Sequence, residues 1–165
     1  MRILQLKKKK SLAVPEVIGW REMVGLPDYG IKTLAAKIDT GARTSALHAV
    51  DQRIFEKDHQ IWVRFIIPIP NRRRGIRVEA PVVDERDIKN TGGVPERRLI
   101  VRTALVLGRH HWHIDVSLAN REKMEFDLIL GRTAVRDRGM LVNPRRSFLL
   151  GDPAPPTSAK REEER

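Results

Sequence analysis

Ala36-Lys37-Ile38-Asp39-Thr40-Gly41-Ala42 is the stretch on which the reading of this chain turns. A β-rich run, Thr33 to Ile38, delivers a carboxylate, then a small hydroxyl residue, then glycine. Each residue type has a chemical reason to be there. A carboxylate at a strand end is held rigidly and can lie close to a symmetry axis. The Thr40 hydroxyl can hydrogen-bond across that axis to its twin. Gly41 lets backbone and substrate approach closely. By itself Asp-Thr-Gly also fits a strand followed by an Asx-type turn, so a second element has to decide.

That element is Phe126-Asp127-Leu128-Ile129-Leu130-Gly131-Arg132. The short apolar run is expected of a strand buried on both faces. Gly131 to Val135 is expected to open a short helix, with Leu141-Val142 and the Asn143-Pro144 turn signal beyond it. Between the two motifs the signals are again strands: Ile61 to Ile67, Gly75 to Val83, Leu99 to Leu107 and His111 to Leu118, the last two joined by a Gly108-Arg109-His110 turn. Val17 to Trp20 is a further short apolar run before the first motif. Many short strands with Gly and Pro punctuation predict an all-β barrel or sandwich. Asn90-Thr91-Gly92-Gly93-Val94 sits where a mobile hairpin tip could serve as a lid.

Asp-Thr-Gly followed by a late Leu130-Gly131-Arg132, a short helix and a last strand resembles one subunit of a retropepsin. The resemblance implies a closed acid-protease barrel with one short C-terminal helix, a flap tipped by Thr91, Gly92 and Gly93, and a Gly-Arg run threaded beside the catalytic loop. More closely, Lys37-Ile38-Asp39-Thr40-Gly41-Ala42-Arg43-Thr44-Ser45-Ala46-Leu47-His48-Ala49 and Asn120-Arg121-Glu122-Lys123-Met124 resemble a prokaryotic retropepsin-like family long labelled ATP-dependent zinc proteases. That likeness covers about residues 16–150. The family is associated with ATP-grasp ligases that add glutamate, and one branch trims glutamate tails from a ribosomal protein. An acidic tail as substrate is therefore implied by resemblance.

One Asp-Thr-Gly per chain cannot make a two-carboxylate site, so a symmetric homodimer is expected, with Asp39, Thr40 and Gly41 of each copy at the axis. Paired carboxylates at about 3 Å share a proton. Ala42 stands where some aspartic peptidases carry serine. Without that hydroxyl the ionised dyad loses a hydrogen bond, and activity is expected to extend nearer to neutral pH. Lys37, two residues before Asp39, shares its face in a regular strand; it could stabilise the ionised dyad, bind substrate or simply reach solvent. Arg43 replaces the acidic residue that pairs with the Gly-Arg arginine in retroviral relatives. Arg132 then needs another partner, and Arg43 is either a cleft residue for a substrate carboxylate or a surface arginine.

No cofactor or metal is expected. His111-Trp112-His113 places two imidazoles on one face of a strand, but a His-Glu-x-x-His pattern is absent and no third ligand is evident. His48 and His59 are isolated and read as structural. No Gly-x-x-x-x-Gly-Lys-Ser/Thr loop supports ATP use.

The 165 residues, 41% apolar, suffice for one domain with one core. With no cysteine there is no disulfide framework and no thiolate chemistry. The net charge of +11 favours acidic partners of any class. No apolar run nears the ~20 residues that span a bilayer, and the basic start lacks an apolar run after it; a cytoplasmic protein without a membrane partner is expected. Residues 1–14 read as a flexible basic arm, 15–151 as the folded domain, and 152–165 as a disordered Pro-rich and charged tail. Two other functions compete. An inactive barrel could bind RNA or ribosomes through Arg72-Arg73-Arg74, Arg97-Arg98 and Arg145-Arg146, although aromatics make up only 5% of the chain and no RNP-like motif appears. A metal-dependent hydrolase is the other.

Overall fold

A computed structural model describes residues 14–155. The expected basic arm lies outside these residues except for Val14, and so does the tail beyond Pro155. The described chain keeps contact with the domain as far as Ala154, whose N–H donates to the Gly108 carbonyl at 2.8 Å.

Twelve strands form in chain order: β1 (Val17–Gly19), β2 (Arg21–Leu26), β3 (Ile31–Asp39), β4 (Ser45–His48), β5 (Val50–Lys57), β6 (Gln60–Ile69), β7 (Arg72–Pro81), β8 (Asp84–Lys89), β9 (Pro95–Leu107), β10 (His110–Ala119), β11 (Leu128–Gly131) and β12 (Leu141–Asn143). One α-helix, α1 (Arg132–Arg136), follows β11 directly. The expectation of an all-β domain with a single short helix is met.

Strands pair in the order β10-β4-β11-β3-β2-β9-β8, and β10 pairs again with β9. Six strands therefore return on themselves: β9 joins β10 through Ile100–Leu107 and joins β2 through Val106 and Leu107. The ring removes its own edges, as closure does in small barrels. Inside it lie Val24, Leu26, Val101, Leu105, Leu107, Val116, Leu128 and Leu130, nearly all with no exposed surface. Truncating Leu128 or Leu130 to alanine should cost roughly 2–5 kcal/mol, because a fully buried leucine leaves a cavity behind.

A three-stranded sheet, β5-β6-β7, packs on this ring. Alternation along β6 decides which face does so: Val63, Phe65 and Ile67 are buried while Arg64 is exposed. Phe65 meets Tyr29 edge to face, with ring centroids 6.0 Å apart, an arrangement favoured by the aromatic quadrupole.

The ends of the domain are tied by a fully buried carboxylate. Glu22, on β2, accepts N–H bonds from Gly19, Leu149 and Leu150, each at 2.9 Å. Arg21 beside it lies between the Trp20 and Phe148 rings, at 4.7 and 5.0 Å from their centroids. These contacts hold Phe148 at φ +56°, a left-handed conformation unusual for an aromatic residue. β1 and β12 pair in parallel close by.

For the site, the decisive topological fact is the place of β11. It lies between β3 and β4, parallel to the first and antiparallel to the second. β3 and β4 are consecutive but not adjacent, so the loop joining them, residues 40–44, must cross one strand width on each side of β11, about 10 Å in all. This loop carries Thr40, Gly41 and Ala42.

Candidate active site

Asp39 ends β3 and stands opposite Gly131 in the β3–β11 ladder. Its Oδ1 accepts N–H bonds from Gly41 at 3.1 Å and Ala42 at 3.2 Å. The Asx turn and the candidate catalytic loop are thus one structure: the same hydrogen bonds that close the turn orient the carboxylate. Thr40 and Gly41 are exposed, and Asp39 is half-buried.

Gly131 and Arg132 lie against the far side of this loop. A side chain on Gly131 would put its Cβ 2.6 Å from the Thr44 carbonyl carbon and 2.9 Å from that of Arg43, both backbone atoms that cannot step aside. Arg132 donates its backbone N–H to the Ala42 carbonyl at 2.8 Å and its Nη1 to the Gly41 carbonyl at 3.2 Å. The carboxylate that retroviral enzymes offer this arginine is replaced here by the loop backbone itself. Thr133 adds a hydroxyl bond to the Arg43 carbonyl at 2.7 Å, and the Ser45 hydroxyl accepts the Gly131 N–H at 3.1 Å. The threading of Gly131-Arg132 beside the Asp39 loop is as the sequence leads one to expect.

β8 and β9 make a hairpin whose tip is residues 90–94. The Asn90 side-chain carbonyl accepts N–H bonds from Gly92 and Val94, both at 3.0 Å, and Gly93 takes φ +75°. That φ is the reason a glycine is needed at 93. The tip faces the loop 120–124 across a cavity of about 410 Å³, with Thr91 and Gly92 among its lining.

The other candidates fall in different places. Lys37 is exposed, on the same side of β3 as Asp39 by strand alternation, and no hydrogen bond joins them among the described residues. Arg43 lines a separate cavity of about 700 Å³ with Arg86, Arg102, Arg136 and Asp115, whose walls do not include Asp39. Within one chain, Arg43 is therefore turned away from the flap-side cavity. His111 and His113 are exposed on β10, while Trp112 between them donates its indole N–H to the Ala134 carbonyl at 3.0 Å. Among the described residues, no three His, Cys, Asp or Glu side chains converge as metal ligands would.

Two residues gain a role that their sequence context hid. His48 is buried, and its Nδ1 accepts the Arg121 backbone N–H at 2.8 Å. Arg121 donates its Nε to the Phe126 carbonyl at 3.0 Å and is half-buried. Burial, first, and the charge of Arg98, second, lower the Arg121 pKa from its ordinary value; Asp127 and Asp39 act in the opposite direction. The one sequence signal for this was the family resemblance of Asn120–Met124 beside that of the Asp-Thr-Gly motif; the His48–Arg121 hydrogen bond joins the two segments.

The family model described as retropepsin-like aspartic endopeptidase RimB matches residues 17–153. The chain belongs to the RimB-like family. Other RimB-like similarity lies inside longer proteins. A probable alpha-L-glutamate ligase of Desulfotalea psychrophila is 39% identical over 139 residues, 83% of this chain but 30% of that protein. A protein of the same name from Parasynechococcus marenigrum is 40% identical over 138 residues, 82% of this chain and 29% of its own length. The chain therefore spans about 30% of the curated relatives it matches. Among solved structures, a Legionella pneumophila protein of unknown function (DUF785) superposes with a TM-score of 0.71 at 31% identity, covering 83% of this chain and 99% of that one. No helix among the described residues is long and apolar enough to cross a membrane.

Proposed function

We propose that this RimB-like chain is an aspartic peptidase that works as a symmetric homodimer on acidic, glutamate-rich peptide tails. The observation that carries the reading is the presentation of Asp39: a carboxylate oriented by two backbone N–H groups, on a loop whose Thr40 and Gly41 lie open at the surface. That is half of a site awaiting its twin.

Across a two-fold axis the paired carboxylates hold one proton between them. The ionised member takes a proton from a bound water, and the protonated member donates a hydrogen bond to the scissile carbonyl. Water oxygen adds to the carbonyl carbon to give a tetrahedral intermediate. The C–N bond then breaks as the leaving nitrogen takes a proton, and no covalent enzyme intermediate forms. Thr91, Gly92 and Gly93 close over the peptide. Lys37 and Ala42 flank the dyad or its approach and complete the substrate contacts.

The name of the curated relatives supports a functional link to a glutamate ligase. A ligase that adds glutamate and a peptidase that removes it form an opposed pair. A ribosomal protein is a tail-bearing substrate of the right kind by family likeness.

The test is to incubate wild-type and Asp39→Ala protein with glutamate-tailed peptides, with and without chelator, and follow products by mass while sedimentation gives the oligomeric state. Cleavage by a dimeric wild type, lost in Asp39→Ala and indifferent to chelator, is expected. Activity of a strict monomer would refute the dyad, and loss with chelator would favour a metal-dependent hydrolase.

A further inference from the structure

Three basic side chains, Arg98, Arg121 and Lys123, and two acidic ones, Glu96 and Glu122, line the cavity between the hairpin tip and the 120–124 loop. Arg98 is only 12% exposed, and its carboxylate partner is Glu96, 2.9 Å away and two residues along the same strand. Directly opposite Arg98 in the β8–β9 ladder stands Arg86, which has its own local partner, Asp84, at 2.7 Å. Like charges directly opposite one another in a ladder oppose sheet formation. Glu96 and Asp84 are thus engaged in offsetting that repulsion.

Arg121 is left over. Among the described residues no carboxylate stands at salt-bridge distance from it; its Nε is occupied by the Phe126 carbonyl, and its backbone N–H by His48. Its two terminal amino groups have no protein acceptor among those residues, and these are the donors that grip a carboxylate in a two-pronged pair. A half-buried cation with a second one beside it is unfavourable for the fold alone. An incoming anion would relieve that cost.

We propose that Arg121, supported by Arg98, forms the subsite that takes the carboxylate of an acidic substrate residue in the cavity between the hairpin tip and the 120–124 loop. This deepens the peptidase reading and rests on it. It also assigns the acidic preference to the cavity at the 90–94 hairpin tip, whose walls, like those of the Arg43 cavity, do not include Asp39.

The experiment compares two peptides alike except for glutamate or glutamine at one position, using the full chain. For catalysis, kcat and KM are measured for wild type, Arg121→Ala, Arg121→Lys and the control Arg109→Ala, which removes an exposed charge at the β9–β10 turn. The glutamate-over-glutamine ratio of kcat/KM should fall at least tenfold in Arg121→Ala, mainly through KM, recover in part in Arg121→Lys and hold in Arg109→Ala. A structural role alone would lower both peptides together, leaving the ratio unmoved, and that result overturns the proposal. For binding, the same peptides are titrated onto Asp39→Asn protein with and without Arg121→Ala. If wild type cleaves neither peptide but Asp39→Asn prefers glutamate in an Arg121-dependent way, the peptidase reading falls and the subsite stands. Equal binding of the two peptides by Asp39→Asn overturns the subsite.

Discussion

The Arg132 guanidinium donates to the Gly41 carbonyl at 3.2 Å, so the helix-opening arginine holds the backbone of the loop that follows Asp39. The bond spans 91 residues of sequence and lies at an exposed position. It sets the loop's position far more than the stability of the domain. Arg132→Met is therefore expected to reduce kcat by about 100-fold, the scale on which small misplacements act, while the thermal midpoint changes little. Lysine at 132 should restore only part of the rate, since a point charge cannot reproduce the planar donor set. Steady-state kinetics beside a melting curve checks both.

Ala42 donates its N–H to the same Asp39 oxygen that Gly41 does. Serine at 42 would bring a hydroxyl to that neighbourhood. A hydrogen bond to the ionised dyad favours the ionised form, so the dyad would lose its shared proton at lower pH. The alkaline limb of the activity profile in Ala42→Ser should accordingly move towards acid. An unmoved pH–rate profile would dismiss this role for Ala42.

His48 couples the catalytic motif to Arg121 through one hydrogen bond of 2.8 Å. His48→Leu keeps much of the bulk but removes the acceptor, leaving the Arg121 N–H without a partner. About 1–3 kcal/mol of stability should be lost if that donor stays buried. Peptide affinity should weaken together with stability, which urea unfolding and peptide titration read separately.

Glu22→Gln tests the buried tie at the domain ends. The glutamine keeps one acceptor oxygen where the glutamate offers two, and its amino group would face at least one of the Gly19, Leu149 and Leu150 N–H donors. A loss of roughly 2–3 kcal/mol is expected, with protease cleavage appearing first near residues 146–150. Limited proteolysis followed by mass analysis locates the opening. Asp39-dependent activity per folded molecule should survive, because Glu22 does not touch the loop.

Several strands were invisible in the sequence for identifiable reasons. β5 is exposed at most of its positions, so Asp51, Gln52, Arg53 and Glu56 show no period-two pattern. β8 is almost wholly charged, and its partner is recognised by register alone. β4 is buried at all four positions, Ser45 to His48, and too short to signal a strand by alternation. Conversely, β9 begins at Pro95 and not at Leu99, because Pro95 to Arg98 pair with β8 although they are polar. Such segments become strands because neighbours satisfy their backbone groups, an influence their own composition does not carry.

By itself the sequence determined the all-β class and the candidate Asp39, which rest on strand signals and an Asx turn; the pairing of its loop with Gly131-Arg132 was implied by the family resemblance. Only the tertiary structure decided which arginine faces which cavity. Arg43 is adjacent to the motif in sequence yet lines one cavity, whereas Arg121, 82 positions after Asp39, lines another beside the 90–94 hairpin tip. The physical reason is the insertion of β11 between β3 and β4: its last residue and those after it, Gly131 to Thr133, meet the Asp39 loop, while the residues before it meet the far end of β4 at His48, and no local pattern records that arrangement.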